Sequence, residues 1–226
     1  MSADTLFNQQ AQKHPYYPLD LSLPHYISSS TETPQLLIAL AGLATAIIIT
    51  GFLLSRGQRS FIDRFAFVWF FLCFFTHVGL EGYYVWNNKT LAGKRSFLAD
   101  IWREYSLSDS RYLSSETCTL SLEAITAVFD GPMCLVVLFS MLRANFATRH
   151  LAQLTTSIAQ LYGVVMYFST SFLQNCDSTH PHPYYFWVYF LSMNLPWIII
   201  PSILIVHSWN AITCRINAAN QQFKQE

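Results

Sequence analysis

Long apolar stretches constrain the fold of this chain more than any other feature. Five of them, each about twenty residues long or longer, cover residues 36–54, 65–86, 117–142, 151–173 and 184–209. An α-helix rises about 1.5 Å per residue, so roughly 20 residues cross the hydrocarbon core of a bilayer. Only 12% of the 226 residues are charged, about half of the ~25% that is typical of soluble domains. We therefore predict an all-α membrane protein that forms a five-helix transmembrane bundle.

The segment between the second and third stretches has a different character. Charged residues crowd positions 89–111, and the apolar side chains among them recur at i, i+3 and i+4 spacing: Phe97, Leu98, Ile101, Trp102 and Tyr105. This spacing places the apolar side chains on one face of a helix. It predicts an interfacial amphipathic helix that lies along the membrane surface between the second and third spans.

The polar ends of the chain complete the predicted organisation. Residues 1–33 form a polar N-terminal segment, residues 34–210 the membrane domain and residues 211–226 a polar C-terminal tail. Five spans put the two termini on opposite sides of the membrane. Lys and Arg number seven on the side of the C-terminal tail and six on the other side, so the positive-inside rule favours a cytoplasmic C-terminus.

Composition argues against several classes of function. Lys and Arg (13) balance Asp and Glu (13), so no nucleic-acid partner is predicted. The five cysteines are scattered without a C-x-x-C pair, which supports neither a zinc site nor a disulfide framework. His180 and His182 flank Pro181, a pattern typical of a stiff loop. We predict neither a metal nor an organic cofactor.

Ionisable side chains inside the apolar stretches indicate a functional site. His77, Glu81, Glu123 and Asp130 lie in the second and third stretches, and a charged group costs roughly 3 kcal/mol at the centre of a bilayer. His77 and Glu81 stand four residues apart, so one face of a helix carries both. We predict that they pair and hold or pass a proton. The alternative is a hydrogen bond that joins helices in the bundle.

The third stretch carries a second polar set. Glu123, Thr126 and Asp130 follow i, i+3, i+7 spacing and are predicted to share one helix face, with Thr126 bonded to Glu123 or to a ligand. Asp130 directly precedes Gly131-Pro132, so a role in kinking the helix is an open alternative.

The chemistry of these groups points to a substrate that dissolves in lipid. An apolar cavity favours the neutral form of a carboxylic acid, which can then donate a proton. Protonating an alkene makes a carbocation, which carboxylates and an indole face can stabilise. In the fifth stretch Trp197 shares a face with Asn194, whose amide can position the site or join helices. Water must be excluded, because it would add to the cation.

Several motifs carry a family resemblance when they are taken together. They are HVGLEG at 77–82, LADIWREY at 98–105, DSRY at 109–112, EAITA at 123–127, GP at 131–132, QLYG at 160–163, YFW at 185–187 and MNLPW at 193–197. With these motifs the chain resembles the emopamil-binding protein family, the sterol Δ8–Δ7 isomerases whose fold is the EXPERA domain. The resemblance covers roughly residues 14–210, with the EXPERA-like part at about 61–207.

The resemblance implies both a fold and a reaction. It implies a five-helix bundle in the endoplasmic reticulum membrane, with a sterol-binding cavity that opens to the lipid, and no cofactor. A proton would be added at carbon 9 and another removed from carbon 7. The His77–Glu81 pair and Glu123 would divide these two roles in an order that the sequence leaves open. Trp197 would stabilise the cation, and two polar side chains, Asn194 and Thr126, would position the carboxylates.

Other expectations follow from the same resemblance. The implied substrate-binding residues are Trp102, Tyr105, Arg111, Tyr112, Asp130 and Tyr162. The alternative for Arg111 is a structural ion pair with Asp109 or Glu104. The implied partners are a sterol, membrane lipid and cationic amphiphilic amines as inhibitors, with a homodimer left open. Two other functions also stay open: a fungal-type terpenoid isomerase or cyclase on the same fold, and a non-catalytic protein that binds sterols or cationic amphiphiles.

Overall fold

The computed structural model describes residues 13–224, so the first part of the predicted N-terminal segment and the last two residues lie outside it. Within the described residues every regular element is a helix. Four helices in this part are long and apolar enough to cross a membrane: Thr33–Gly57, Phe61–Asn87, Thr117–Leu142 and Tyr185–Phe223. These four match the first, second, third and fifth predicted stretches. The fourth stretch also forms a long helix, of 28 residues, but that helix is less apolar.

The described residues contain eight α-helical segments, seven of them in the five long helices. Three of them begin at Ser60, Ser96 and Asn145, whose side-chain oxygens each accept a hydrogen bond from the main-chain N–H three residues later, the usual way to satisfy the first free donors of a helix. The last of the eight segments ends at Phe223, within the predicted polar C-terminal tail. Their bounds are α1 Thr33–Leu54, α2 Phe61–Phe74, α3 Gly82–Asn87, α4 Phe97–Tyr105, α5 Thr117–Ile125, α6 Gly131–Leu142, α7 Phe146–Leu173 and α8 Pro196–Phe223.

Three of the membrane helices are interrupted by π-helical segments. The first π segment, Phe75–Glu81, joins α2 to α3; the second, Thr126–Asp130, joins α5 to α6; the third, Tyr185–Ser192, precedes α8. The first two cross closely at Gly131, where an added Cβ would lie 2.6 Å from Val78 Cγ2. π segments are rare and often occur at functional sites.

The helices pack as a bundle around α7. α7 contacts both α6 and α8, α6 contacts α2, and α1 packs on α2 from the outside. The buried core between α2, α6 and α8 includes Phe67, Phe70, Val137 and Leu204. α1 exposes apolar side chains around most of its circumference, as expected of a helix that faces lipid.

Other parts of the chain cover α4 on its apolar and on its polar side, while Phe97 at its start stays exposed. Its apolar face lies against the bundle, while its polar face carries a buried ion pair between Asp100 and Arg103. The N-terminal segment covers that pair: Ser30 and Thr31 donate hydrogen bonds to Asp100 Oδ2 at 2.8 and 2.9 Å. The N-terminal segment is therefore an integral part of this end of the bundle.

Candidate active site

A cavity of about 430 Å³ lies inside the bundle, within the ~300–1,000 Å³ range of small-molecule sites. Side chains of α1, α4, α5, α7 and α8 line it together with all three π segments. Nine of the twelve residues predicted for the site contribute to this lining: His77, Glu81, Trp102, Tyr105, Tyr112, Glu123, Thr126, Asn194 and Trp197.

The predicted His77–Glu81 pair forms in the first π segment. His77 Nδ1 lies 2.9 and 2.8 Å from the two carboxylate oxygens of Glu81. Across the crossing of the π segments, the Thr126 hydroxyl hydrogen-bonds Glu81 Oε2 and also lies 3.0 Å from the main-chain oxygen of Glu123. Thr126 thus contacts the carboxylate of Glu81, whereas the sequence predicted a hydrogen bond to Glu123 or to a ligand.

Glu123 brings a second carboxyl group into the same cavity. The Tyr112 hydroxyl donates a hydrogen bond of 2.7 Å to Glu123 Oε1. The Tyr112 ring is held by the rings of Trp102 and Tyr105, with centroids 4.9 and 5.3 Å away. The Trp102 indole N–H in turn donates to the main-chain oxygen of Leu80, 3.1 Å away in the first π segment. An aromatic wall therefore fixes the position of this carboxyl group.

Asn194 and Trp197 follow the third π segment and face the cavity. The Asn194 amide donates to the Tyr105 hydroxyl at 3.0 Å and to the Phe190 main-chain oxygen at 2.7 Å. The family resemblance implies that Asn194 positions a carboxylate. In the structure Asn194 instead contacts the aromatic wall. The Trp197 ring meets the Trp69 ring edge to face at 5.4 Å between centroids, which leaves an indole at the cavity surface.

Three residues predicted for substrate binding do not line the cavity. Arg111 forms a buried ion pair with Asp109, 2.6 Å between Nη2 and Oδ2, and its Nη1 donates to Thr170 at 2.9 Å. The structural alternative, with Asp109 as the partner, is therefore the one that the contacts favour.

Asp130 and Tyr162 are not among the residues that line the cavity. A π turn holds more residues than an α turn, so Asp130, at the end of the second π segment, is rotated off the face that carries Glu123. It is 1% exposed, and its oxygens have no hydrogen-bond partner among the described residues. On α7 the cavity face carries Gln160, Gly163 and Val164, so Tyr162 faces outward and is 64% exposed.

Gln160 is a polar member of the site that sequence reasoning did not single out. Its amide nitrogen lies 3.0 Å from His77 Nε2, on the side of the ring opposite Glu81. A sequence signal existed: Gln153, Thr156, Ser157 and Gln160 recur at i, i+3, i+4 and i+7. All four are buried, so α7 turns a polar stripe toward the interior of the bundle.

The assembled groups are suited to moving protons in an apolar space. Three carboxyl groups, those of Glu81, Glu104 and Glu123, and an imidazole face one cavity whose other walls are mostly leucine and aromatic side chains. Among residues 13–224, no group of three or more His, Cys, Asp or Glu side chains is arranged to hold a metal ion. The carboxyl groups and the imidazole that face the cavity can themselves donate and abstract protons.

Comparison with known proteins places the chain in a family. The sequence profile of EBP, described as EXPERA (EXPanded EBP superfamily), matches residues 97–208. The 3-beta-hydroxysteroid-Delta(8),Delta(7)-isomerase of Mus musculus is 34% identical over 206 residues, which cover 88% of this chain and 89% of that protein. The probable isomerase of the same name from Arabidopsis thaliana is 32% identical over 208 residues, 92% of each chain. The isomeliandiol synthase of Ailanthus altissima is 34% identical over 197 residues, 86% of this chain and 90% of that protein. At this identity and coverage, the chain belongs to the EBP family of EXPERA proteins.

Proposed function

We propose that this protein is a sterol isomerase that moves a ring double bond from Δ8 to Δ7. The observation that carries the proposal is the convergence of Glu81, His77 and Glu123 on one apolar cavity beside Trp197. The relatives named as 3-beta-hydroxysteroid-Delta(8),Delta(7)-isomerases, similar over most of their length, supply the substrate class.

The reaction fixes what the site must do. Moving the double bond from carbons 8 and 9 to carbons 7 and 8 requires a new C–H bond at carbon 9. The carbocation that results at carbon 8 is neutralised when a proton leaves carbon 7. One group must therefore donate a proton and another must accept one, while the cavity excludes water.

Hydrogen bonding supports a division of these roles between the two glutamates. Among residues 13–224, Glu81 receives hydrogen bonds from His77 and Thr126, whereas Glu123 receives one side-chain hydrogen bond, from Tyr112. Donors directed at a carboxylate favour its ionised form. Glu123 is then the acid that protonates carbon 9, and Glu81 is the base that removes the proton from carbon 7. The Trp197 ring stabilises the cation.

The same proposal extends to the placement of the protein in the membrane. α7 is a fifth span, and α4 lies at the membrane interface beneath the N-terminal segment. The location in the endoplasmic reticulum rests on the family resemblance alone, as does a homodimer. Cationic amphiphilic amines inhibit, because they carry a fixed positive charge where the reaction develops one.

Sterol profiling in yeast that lacks its own Δ8–Δ7 isomerase tests the function. Expression of the wild-type chain is expected to convert the accumulated Δ8 sterols to Δ7 sterols, with deuterium from heavy water entering the product. Glu123→Gln is the matched control, and it should abolish conversion while the protein still binds cationic amphiphiles. An unchanged sterol profile in cells that contain the folded wild-type protein would exclude the sterol isomerase.

A terpenoid substrate is the second candidate. It is favoured by the isomeliandiol synthase of Ailanthus altissima, which is as similar to this chain (34% identical) as the mouse isomerase. The two candidates share one proton-handling site and differ in the substrate that fills the cavity. The purified protein should therefore be offered a Δ8 sterol and a triterpenoid alkene side by side, and the faster turnover identifies the substrate class.

A further inference from the structure

A chain of hydrogen bonds leads from the cavity to a tryptophan behind it. His77 Nε2 lies 3.0 Å from the amide nitrogen of Gln160, and the Gln160 amide oxygen lies 3.4 Å from the Trp69 indole nitrogen. Trp69 belongs to α2 and Gln160 to α7, and all three side chains are buried. The imidazole is thus held on its second nitrogen by a group that the proposed proton transfer does not use.

The chemistry of these groups allows one orientation. An indole N–H can only donate, so Gln160 must turn its oxygen toward Trp69. Its NH₂ group then faces His77 Nε2, which must accept and therefore carries no proton. A flipped amide would set two N–H donors against each other in a buried place, which costs about 1–3 kcal/mol for an unsatisfied group.

We infer that Trp69 and Gln160 are positioning residues that hold His77 as the neutral tautomer with its proton on Nδ1. This inference rests on the proposed function for its kinetic consequence. Nδ1 is the nitrogen that contacts Glu81, so the ring donates a fixed hydrogen bond to that carboxylate. A second proton on Nε2 would face the amide N–H of Gln160. His77 therefore orients Glu81, and Glu81 is the member of the pair that gains and loses the proton.

Nitrogen NMR of the protein with ¹⁵N-labelled histidine tests the tautomer directly, with the His77 signals assigned by their loss in His77→Asn. The expected spectrum at neutral pH shows a protonated Nδ1 and an unprotonated Nε2. Gln160→Glu places a carboxylate at Nε2 and should convert the ring to the doubly protonated form. Trp69→Phe keeps an aromatic ring against Trp197 but frees the amide to flip, so it should mix the two neutral tautomers.

Gln153→Glu is the matched control. Gln153 lies two turns earlier on α7, is fully buried, and contacts Leu204 and His207 and not His77. It should lower thermal stability about as much as Gln160→Glu and leave the His77 spectrum unchanged. In turnover assays, Gln160→Glu should lower kcat roughly tenfold, because a positive charge on His77 favours ionised Glu81 and so makes it a weaker base, with little change in KM.

Two results would overturn the inference. One is a wild-type spectrum with the proton on Nε2, and the other is a Gln160→Glu spectrum that is the same as the wild type. The tautomer is measured without substrate, so it can be correct even where the protein converts no sterol, and in that case the proposed function fails on its own.

Discussion

A single hydroxyl group connects the two halves of the proton-handling site. Thr126 contacts both Glu81 Oε2 and the main-chain oxygen of Glu123. A hydroxyl has one proton and two lone pairs, so Thr126 can donate to an ionised Glu81. With its proton turned to the main-chain oxygen of Glu123, it can instead accept a hydrogen bond from the neutral acid. Glu81 therefore keeps a partner in both of the protonation states that the proposed mechanism requires.

Removing the Thr126 hydroxyl should slow the reaction without preventing the substrate from binding in the cavity. Thr126→Val has nearly the same shape, and losing a hydrogen bond to a charged group costs about 2 kcal/mol, so kcat should fall roughly 30-fold. Thr126→Ser keeps the hydroxyl and should stay within about threefold of the wild type. Equal rates for the valine and serine variants would remove Thr126 from the mechanism.

Arg111 should affect stability and not chemistry. Its buried partner Asp109 would be left as an uncompensated charge in Arg111→Met, which should lower the free energy of unfolding by about 3 kcal/mol. The double variant Asp109→Leu/Arg111→Met removes both charges and should recover most of that loss. Thermal unfolding in detergent measures the stability of both variants. If the Arg111→Met protein were stable and had a raised KM for sterol, Arg111 would instead be a substrate-binding residue.

At the scale of the helices, hydropathy predicts where the helices lie but not the π segments inside them. All five apolar stretches form helices near the predicted positions, because length and apolarity are local properties of the sequence. The π segments leave no trace in hydropathy, so α-helical spacing predicts for Asp130 a place in the cavity lining that it does not have. The sequence does not predict Gln160 as a site residue, because its partner His77 is 83 residues away. The Arg111–Asp109 pair was foreseen as an alternative, since the two residues are close in sequence.

The N-terminal segment is held to α4 by a charge, so its attachment should depend on pH. Burial acts to raise the pKa of Asp100, but hydrogen bonds from Ser30, Arg103 and Thr31 outweigh it and lower the pKa below the usual value. An unfolded Asp titrates near pH 4. Because the folded pKa is the lower one, the stabilisation is complete above about pH 4 and is lost as the pH falls through the folded pKa.

Asp100→Asn gives this prediction its control. Above about pH 5 the wild type should have the higher unfolding temperature in detergent, and the difference between the two proteins should shrink as the pH falls toward 3. A difference that stays constant over this range would show that the Asp100 charge does not hold the N-terminal segment.

At the scale of the whole molecule, contacts define two opposite ends of the bundle. At one end the loop after α7 meets the loop after α4, where the Ser110 N–H donates to the Ser178 main-chain oxygen at 3.0 Å. At the other end Gln58 donates to the main-chain oxygen of Met141 at 3.3 Å. α7 connects these ends. Arg149 pairs with Asp63 at the end that contains Gln58, and Thr170 contacts the Arg111 guanidinium at the end that contains Ser110. The helix between these contacts is about 30 Å long, the thickness of a hydrocarbon core.

α7 should therefore cross the membrane although it is not among the four helices whose composition is apolar enough to predict a span. Its polar stripe is buried in the bundle, while Leu151, Ile158 and Val165 are exposed, so the surface that lipid meets is apolar even where the composition is not. Single cysteines at the two flanking exposed positions, Ala144→Cys and Asp177→Cys, test this in a cysteine-free background. In sealed microsomes a membrane-impermeant maleimide should label Ala144→Cys directly, as the predicted cytoplasmic C-terminus requires, and Asp177→Cys only after permeabilisation. Labelling of both positions from the same side would mean that α7 does not cross, and the five-span bundle would be wrong.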